Sequence, residues 1–180
     1  MTDDDKRWYV VLTRTNSEYK VRDYFSLQNI ENFLPVQLHT TEKKGKIIEK
    51  ERLVIPRMVF VRISPQQIPT VRSTMNVFDF LRTRSGSTPA PIPNEQMADF
   101  RYMLDYSHQE VVLTGEYIPH GTPVVVAKGD LQGLRGELIR YEGKYHILVR
   151  VDMFGCAMVS IPASYVRKEK EAVEEVNSCQ

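Results

Sequence analysis

The residue types able to do covalent or metal chemistry are few in this chain, and their spacing does not assemble them. There are four histidines, His39, His108, His120 and His146, and two cysteines, Cys156 and Cys179. A zinc site needs ligands paired a few residues apart and then repeated, because a tetrahedral ion takes its donors from two neighbouring turns. No two of these six residues stand at such a spacing. Neither a G-x-S-x-G elbow, a phosphate-cradling P-loop nor a G-x-G-x-x-G turn occurs. Asp3-Asp4-Asp5 reads as an acidic, disordered start (residues 1–6) and not as a metal cluster. No catalytic residue, metal or cofactor is therefore expected. The two cysteines lie in unrelated contexts, which fits a reducing cytoplasm.

What remains is charge. The net charge of +1 hides a polarity: residues 43–84 hold ten Lys or Arg and three acids, Glu49, Glu51 and Asp79. Residues 85–122 reverse the balance, with five acids against Arg101 alone. A basic segment in a near-neutral protein suits a phosphate backbone or an acidic partner. A solvated lysine-rich loop followed by unrelated arginines would explain it equally well. No apolar run approaches the ~20 residues that span a bilayer, so no membrane contact is expected.

These charges need elements to position them. Trp8 to Thr13 is aromatic and β-branched, as in a buried strand. Thr15-Asn16-Ser17-Glu18 has the form of a capping box, and Val21, Tyr24, Phe25 and Gln28 follow at helical spacing. Residues 38–53 suggest an exposed hairpin with Lys43, Lys44 and Lys46 at its tip. Met58 to Val61 and Val77 to Leu81 read as strands. Ser64-Pro65 starts a helix that Pro69 keeps short. Asn94 caps another, with Met97, Phe100 and Leu104 as its apolar stripe. Residues 106–121, with Gly115, Pro119 and Gly121, suggest a linker. Five short strands with glycine turns follow in residues 122–168, the pattern of a small closed barrel. A charged tail (169–180) closes the chain.

Two stretches carry a family resemblance. Val124 to Leu138, with Lys128-Gly129-Asp130 and Gly136, resembles a KOW motif, and Val149 to Gly155 resembles the strand and turn that close such a barrel. Trp8-Tyr9-Val10-Val11, the capped helix and Ile55 to Arg62 are similar to the N-terminal domain that precedes one KOW barrel in the NusG/RfaH family. The resemblance implies an α+β architecture: an N-terminal domain (7–105) whose antiparallel sheet is flanked by helices, and a C-terminal SH3-like KOW β-barrel (122–168). Pro56-Arg57-Met58 stands where housekeeping members have Pro-Gly-Tyr, and a Pro-Gly-Val loop is replaced by Thr74 to Phe80. These departures resemble specialised paralogues of the UpxY type, antiterminators of surface-polysaccharide operons.

The same resemblance implies a non-enzymatic, monomeric elongation or antitermination factor that binds RNA polymerase. Its contact with the polymerase clamp helices falls on Ile55, Met58, Phe60, Phe80 and Ile92, with the Met58/Phe60 face of the strand expected to be the exposed one. A second polymerase contact falls on Thr70 and Arg72. Arg14, Lys20, Lys43, Lys44, Lys46 and Arg82 are placed against non-template DNA or nascent RNA. Leu131, Met153 and Phe154 are placed on a surface for a ribosomal or termination-factor protein. The rival reading is an RNA-binding or ribosome-associated KOW protein. Against it, residues 123–166 hold five Lys or Arg and four acids, so the basic surface is not in the barrel.

Overall fold

The computed structural model describes residues 5–43, 45–83, 86–153 and 155–169. The chain divides into two compact units, Met1–Met97 and Ala98–Gln180.

The first unit is organised by β1 (Arg7–Thr13). Its apolar side chains are buried on both faces, which a strand achieves only in the interior of a covered sheet. It pairs antiparallel with β5 (Met58–Ile63) on one side and β6 (Val77–Phe80) on the other, and β2 (Glu31–Phe33) adds to β5. The order is β2-β5-β1-β6. One face, with Tyr9, Val11, Val59, Val61, Ile63 and Phe80, forms a core with Val21 and Phe25 of α1 (Glu18–Leu27) and Val71 of α2 (Ile68–Arg72). Glu18, Val21 and Phe25 are the buried positions of α1, one stripe of a 3.6-residue period.

The start of α1 differs from the expected capping box. Ser17 is the N-cap and makes no side-chain cap bond. Asn16 already has φ +57°, so the chain turns too sharply for Thr15 to reach the helix. Glu18 does not fold back either; its carboxylate accepts the Arg57 backbone N–H at 2.8 Å, 39 residues away. By contrast, Ser64 behaves as its sequence implies: its N–H donates to Gln67 Oε1 at 3.0 Å ahead of the short α2.

β3 (Val36–Lys43) and β4 (Lys46–Leu53) form a separate two-stranded hairpin in register from Val36↔Leu53 to Lys43↔Lys46. Gly45 at its tip has φ +72°, a conformation glycine takes without a Cβ penalty. α3 (Asn94–Tyr106) buries Met97, Phe100, Met103 and Leu104. The division between the two units falls within this helix.

The second unit is a six-stranded antiparallel sheet, not five strands. β7 (Val112–Thr114), β8 (Thr122–Val126), β9 (Arg135–Tyr141), β10 (Lys144–Val151), β11 (Gly155–Ser160) and β12 (Val166–Lys168) stand in the order β12-β8-β9-β10-β11-β7. The extra strand corrects the linker expectation. β7 pairs with β11, and Ile118 packs with Ile139, Leu148, Cys156 and Met158. A three-residue strand is too short for its period to be seen, and its partner edge exists only once β11 is in place. Gly136 leaves no room for a side chain: a Cβ there would lie 2.6 Å from the Leu148 carbonyl oxygen and 2.9 Å from Ile147 Cγ1. Among the described residues no helix is long and apolar enough to cross a membrane.

Candidate functional site

Residues directly opposite each other in an antiparallel ladder share a face, so register sorts the first sheet into two surfaces. The pairs Val10↔Phe60, Leu12↔Met58 and Phe33↔Phe60, with the Trp8–Ile92 bridge, place these seven residues opposite the face that α1 and α2 cover. Their side of the sheet is apolar except at Arg62, whose Nη1 meets Glu31 Oε2 at 3.1 Å, and at Asp79, which pairs with Leu12. Trp8, Val10, Phe60 and Ile92 are buried, while Leu12, Phe33 and Met58 are half-buried. The accessible part is thus a short strip, Leu12–Met58 beside Phe33, with the Phe33 and Phe60 rings 6.1 Å apart.

This arrangement corrects three of the five expected clamp residues. Met58 and Phe60 do share the face away from the two helices, but Phe60 is 0% exposed and Ile92 2%. Phe80 lies on the other face altogether: it pairs with Val11 and stands edge-on to Tyr9 at 6.1 Å between centroids. Alternation tells which residues share a face. It does not tell what covers them. Sequence reasoning missed Leu12, Phe33, Trp8 and Val10, whose place on this surface follows from pairing partners, not from spacing within one strand.

Beside the strip runs the turn that leads into β5. Ile55 is half-buried there. Arg57 sits at φ +65°, where a residue with a Cβ is disfavoured by about 1–2 kcal/mol. Two hydrogen bonds of its backbone hold it: its N–H donates to Glu18, and its carbonyl accepts the Thr13 N–H at 2.9 Å.

Two of the expected second-contact and nucleic-acid residues meet at one carboxylate. Arg72 Nε lies 3.2 Å from Asp79 Oδ1, and Arg82 Nη2 lies 2.6 Å from Asp79 Oδ2. Burial pushes the Asp79 carboxyl up, but the Phe80 N–H and the two guanidiniums outweigh it and hold it below the usual carboxylate range. Arg72 and Arg82 therefore share one counter-charge, with part of each side chain still in solvent. Thr70, Arg14 and Lys20 are exposed. Lys46 is exposed on β4; Lys44 and the side chain of Lys43 lie outside the described residues.

In the second unit Leu131 is buried and Met153 half-buried, while Phe154 lies outside the described residues. Leu131 thus belongs to the interior and not to a partner surface. A polar cluster that sequence spacing did not reveal sits on β9 and β10. Glu137 accepts Arg150 Nε at 2.6 Å and Nη2 at 2.9 Å, and the Gly121 N–H at 2.7 Å. Burial raises the Glu137 carboxyl, but the Arg150 hydrogen bond, the Gly121 N–H and the Arg150 charge together bring it below its ordinary 4.5. Cys156 is buried, and burial pushes its thiol up, the mark of an inert cysteine. Among the described residues no group of three or more His, Cys, Asp or Glu could hold a metal ion.

Comparison with known proteins places this geometry. A family model described as transcription termination factor nusG matches residues 6–101. The solved structure of Thermotoga maritima NusG, concerned with domain interaction in that protein, aligns with TM-score 0.50 and 20% identity over 93% of this chain and 99% of that one. A chain of an MjSpt4:Spt5 complex, in its conformations B and A, aligns at 14% and 12% identity, with TM-scores of 0.31 and 0.30. These cover 90% and 89% of this chain and 96% of each of the others. No curated protein sequence matches the chain.

Proposed function

Because the chain belongs to the NusG family, we propose that it binds RNA polymerase through its first unit and keeps it transcribing through pauses and terminators. The observation that carries this reading is the second face of the β2-β5-β1-β6 sheet. Between the Arg62–Glu31 pair and Asp79 that surface is apolar, and its accessible strip of Leu12, Phe33 and Met58 lies beside Ile55 and the Arg57 turn. A pair of amphipathic helices, such as the polymerase clamp presents, docks on a surface of this kind by burying apolar area while a polar rim sets register. Met58 and Ile55 remain the clamp contacts, with Leu12 and Phe33 added, and Phe60 supports them from beneath.

A second contact at Thr70 and the exposed part of Arg72 would bridge the polymerase cleft and disfavour pausing. Arg14, Lys20 and Lys46 supply cations for DNA or RNA. The second unit is read as a KOW barrel, with the Met153 turn offered to a ribosomal or termination-factor protein. Gly136, with no room for a Cβ, supports that assignment. Arg57 in place of glycine, and the altered loop before β6, favour a specialised UpxY-type paralogue acting on surface-polysaccharide operons in the cytoplasm.

The test is capture of purified core RNA polymerase by the immobilised full chain. Met58→Glu places a charge in the strip and should weaken capture at least tenfold, which corresponds to about 1.4 kcal/mol. Its circular dichroism should stay native, since Met58 is only half-buried. Wild-type capture that Met58→Glu leaves unchanged would remove the strip from the interface. No wild-type capture would refute the reading as a whole.

A further inference from the structure

β11 has the composition of a strand that accepts a neighbour. Its six residues, Gly-Cys-Ala-Met-Val-Ser, carry no charge and no proline, the devices by which exposed strand edges usually avoid pairing. One side of β11 is taken by β10 over six register pairs, from His146↔Ser160 to Val151↔Gly155. The other side is taken by β7 over three, from Val112↔Met158 to Thr114↔Cys156. Past that short ladder, residues 107–109 and 159–162 line one cavity of about 200 Å³ together with the buried Leu131.

β7 belongs to a strap that is anchored at its two ends and little in between. Val111 and Ile118 are buried, and Ile118 packs with Ile139, Leu148, Cys156 and Met158. Between them Val112, Gly115, Glu116 and Tyr117 are exposed, and Leu113 and Thr114 are half-buried. Few buried apolar contacts allow a segment to open locally while the rest of the fold stays closed. The residues after the strap are fastened separately. Arg150 Nη2 donates to the Pro119 carbonyl at 3.2 Å, and the Gly121 N–H donates to Glu137 Oε2 at 2.7 Å. Beneath the strap Gly155 leaves room for a passing backbone: a Cβ there would lie 2.9 Å from the Gly115 Cα.

We propose that β7 is a displaceable cover over β11, and that lifting residues 112–118 opens this edge to an extended segment of a partner protein. The chemistry of that segment follows from what it replaces. Its backbone supplies the donors and acceptors that β11 pairs with, and an apolar side chain takes the place of Ile118 against Cys156 and Met158. The cavity at residues 159–162 is its foothold, from which pairing proceeds along β11 as β7 withdraws. The fraction of molecules with the strap lifted then sets the apparent affinity. A cover closed about nine-tenths of the time weakens binding about tenfold. Every residue involved belongs to the second unit, so the proposal stands or falls apart from polymerase binding.

The experiment uses the full chain and, as the incoming strand, a synthetic peptide of residues 107–118 blocked at both ends. Leu113→Pro/Thr114→Pro removes two successive N–H groups, one of which points at the neighbouring strand, and so uncovers β11. Circular dichroism and hydrogen exchange in β10 should match wild type, because β10 is held by β9 and β11. The peptide should bind this variant at least about tenfold more tightly than wild type. Thr114→Cys, made with Cys179→Ser, is the opposite perturbation. Position 114 stands directly opposite Cys156, with about 4.5–5.5 Å between Cα atoms, within the reach of a disulfide. Oxidation should abolish peptide binding and reduction restore it. In the wild type, β7 amides should exchange through an opening that urea scarcely accelerates, while β10 amides follow urea-dependent global unfolding. Equal peptide affinity for wild type and the proline variant, or binding to neither, would overturn the proposal. So would β7 amides that exchange only together with β10, or a proline variant that no longer folds, since either makes β7 part of the permanent core.

Discussion

Removing the Glu18 carboxylate should loosen the turn that carries Ile55 and Met58. Glu18 is 3% exposed, on the first turn of α1, and accepts the Arg57 N–H at 2.8 Å. That residue holds a left-handed conformation, so the hydrogen bond opposes a local tendency to relax. A hydrogen bond to a charged group contributes about 1.5–3 kcal/mol, and the orphaned N–H adds to the loss when its partner disappears. Arg57 is exposed, and water can reach part of that site once it opens. We therefore expect Glu18→Ala to cost about 2 kcal/mol, or about 8–16 °C of melting temperature for a unit of this size. Glu18→Gln keeps an acceptor of the same shape and should cost about 1 kcal/mol or less. The assay is thermal and urea denaturation followed by circular dichroism, with polymerase capture measured on both variants at a temperature where each is folded. A loss under about 0.5 kcal/mol for Glu18→Ala, or equal losses for Ala and Gln, would refute the reasoning. The first result would mean the turn holds itself; the second, that the charge and not the hydrogen bond matters.

Two further predictions concern the second unit. Gly136→Ala should unfold or strongly destabilise the β7–β12 sheet, because the added Cβ meets the backbone oxygen of Leu148 and cannot be accommodated by a side-chain rotation; a cooperative melt at the wild-type temperature would contradict the close approach. Glu137 has a carboxyl pKa lowered on folding, so the unfolded chain binds its proton more readily. Its stabilising contribution is present above the ordinary value near 4.5 and is lost as pH falls through the lower folded value. Wild type should therefore lose stability more steeply below that pH than Glu137→Gln, and parallel pH–stability curves would count against the pairing with Arg150.

Most of the elements and their kinds are legible in the sequence. The apolar stripe Met97, Phe100 and Leu104, the β-branched runs at Trp8 and Met58, and the glycine-punctuated C-terminal strands are local patterns of period 3.6 or 2. Each was readable because a neighbour three, four or two residues away carries the signal. Gly136 was readable for a related reason: a residue without a side chain marks a place where one cannot fit. Tertiary structure alone decided the rest. Phe60 and Phe80 look alike as strand aromatics, yet pairing sends them to opposite faces and burial removes both from solvent. Leu12 and Phe33 join the candidate surface only because β1 and β2 flank β5. β7 is a strand because β11 offers it an edge. Glu18 caps nothing locally and instead holds a turn 39 residues away. All of these depend on which distant residues meet, and no local period encodes that.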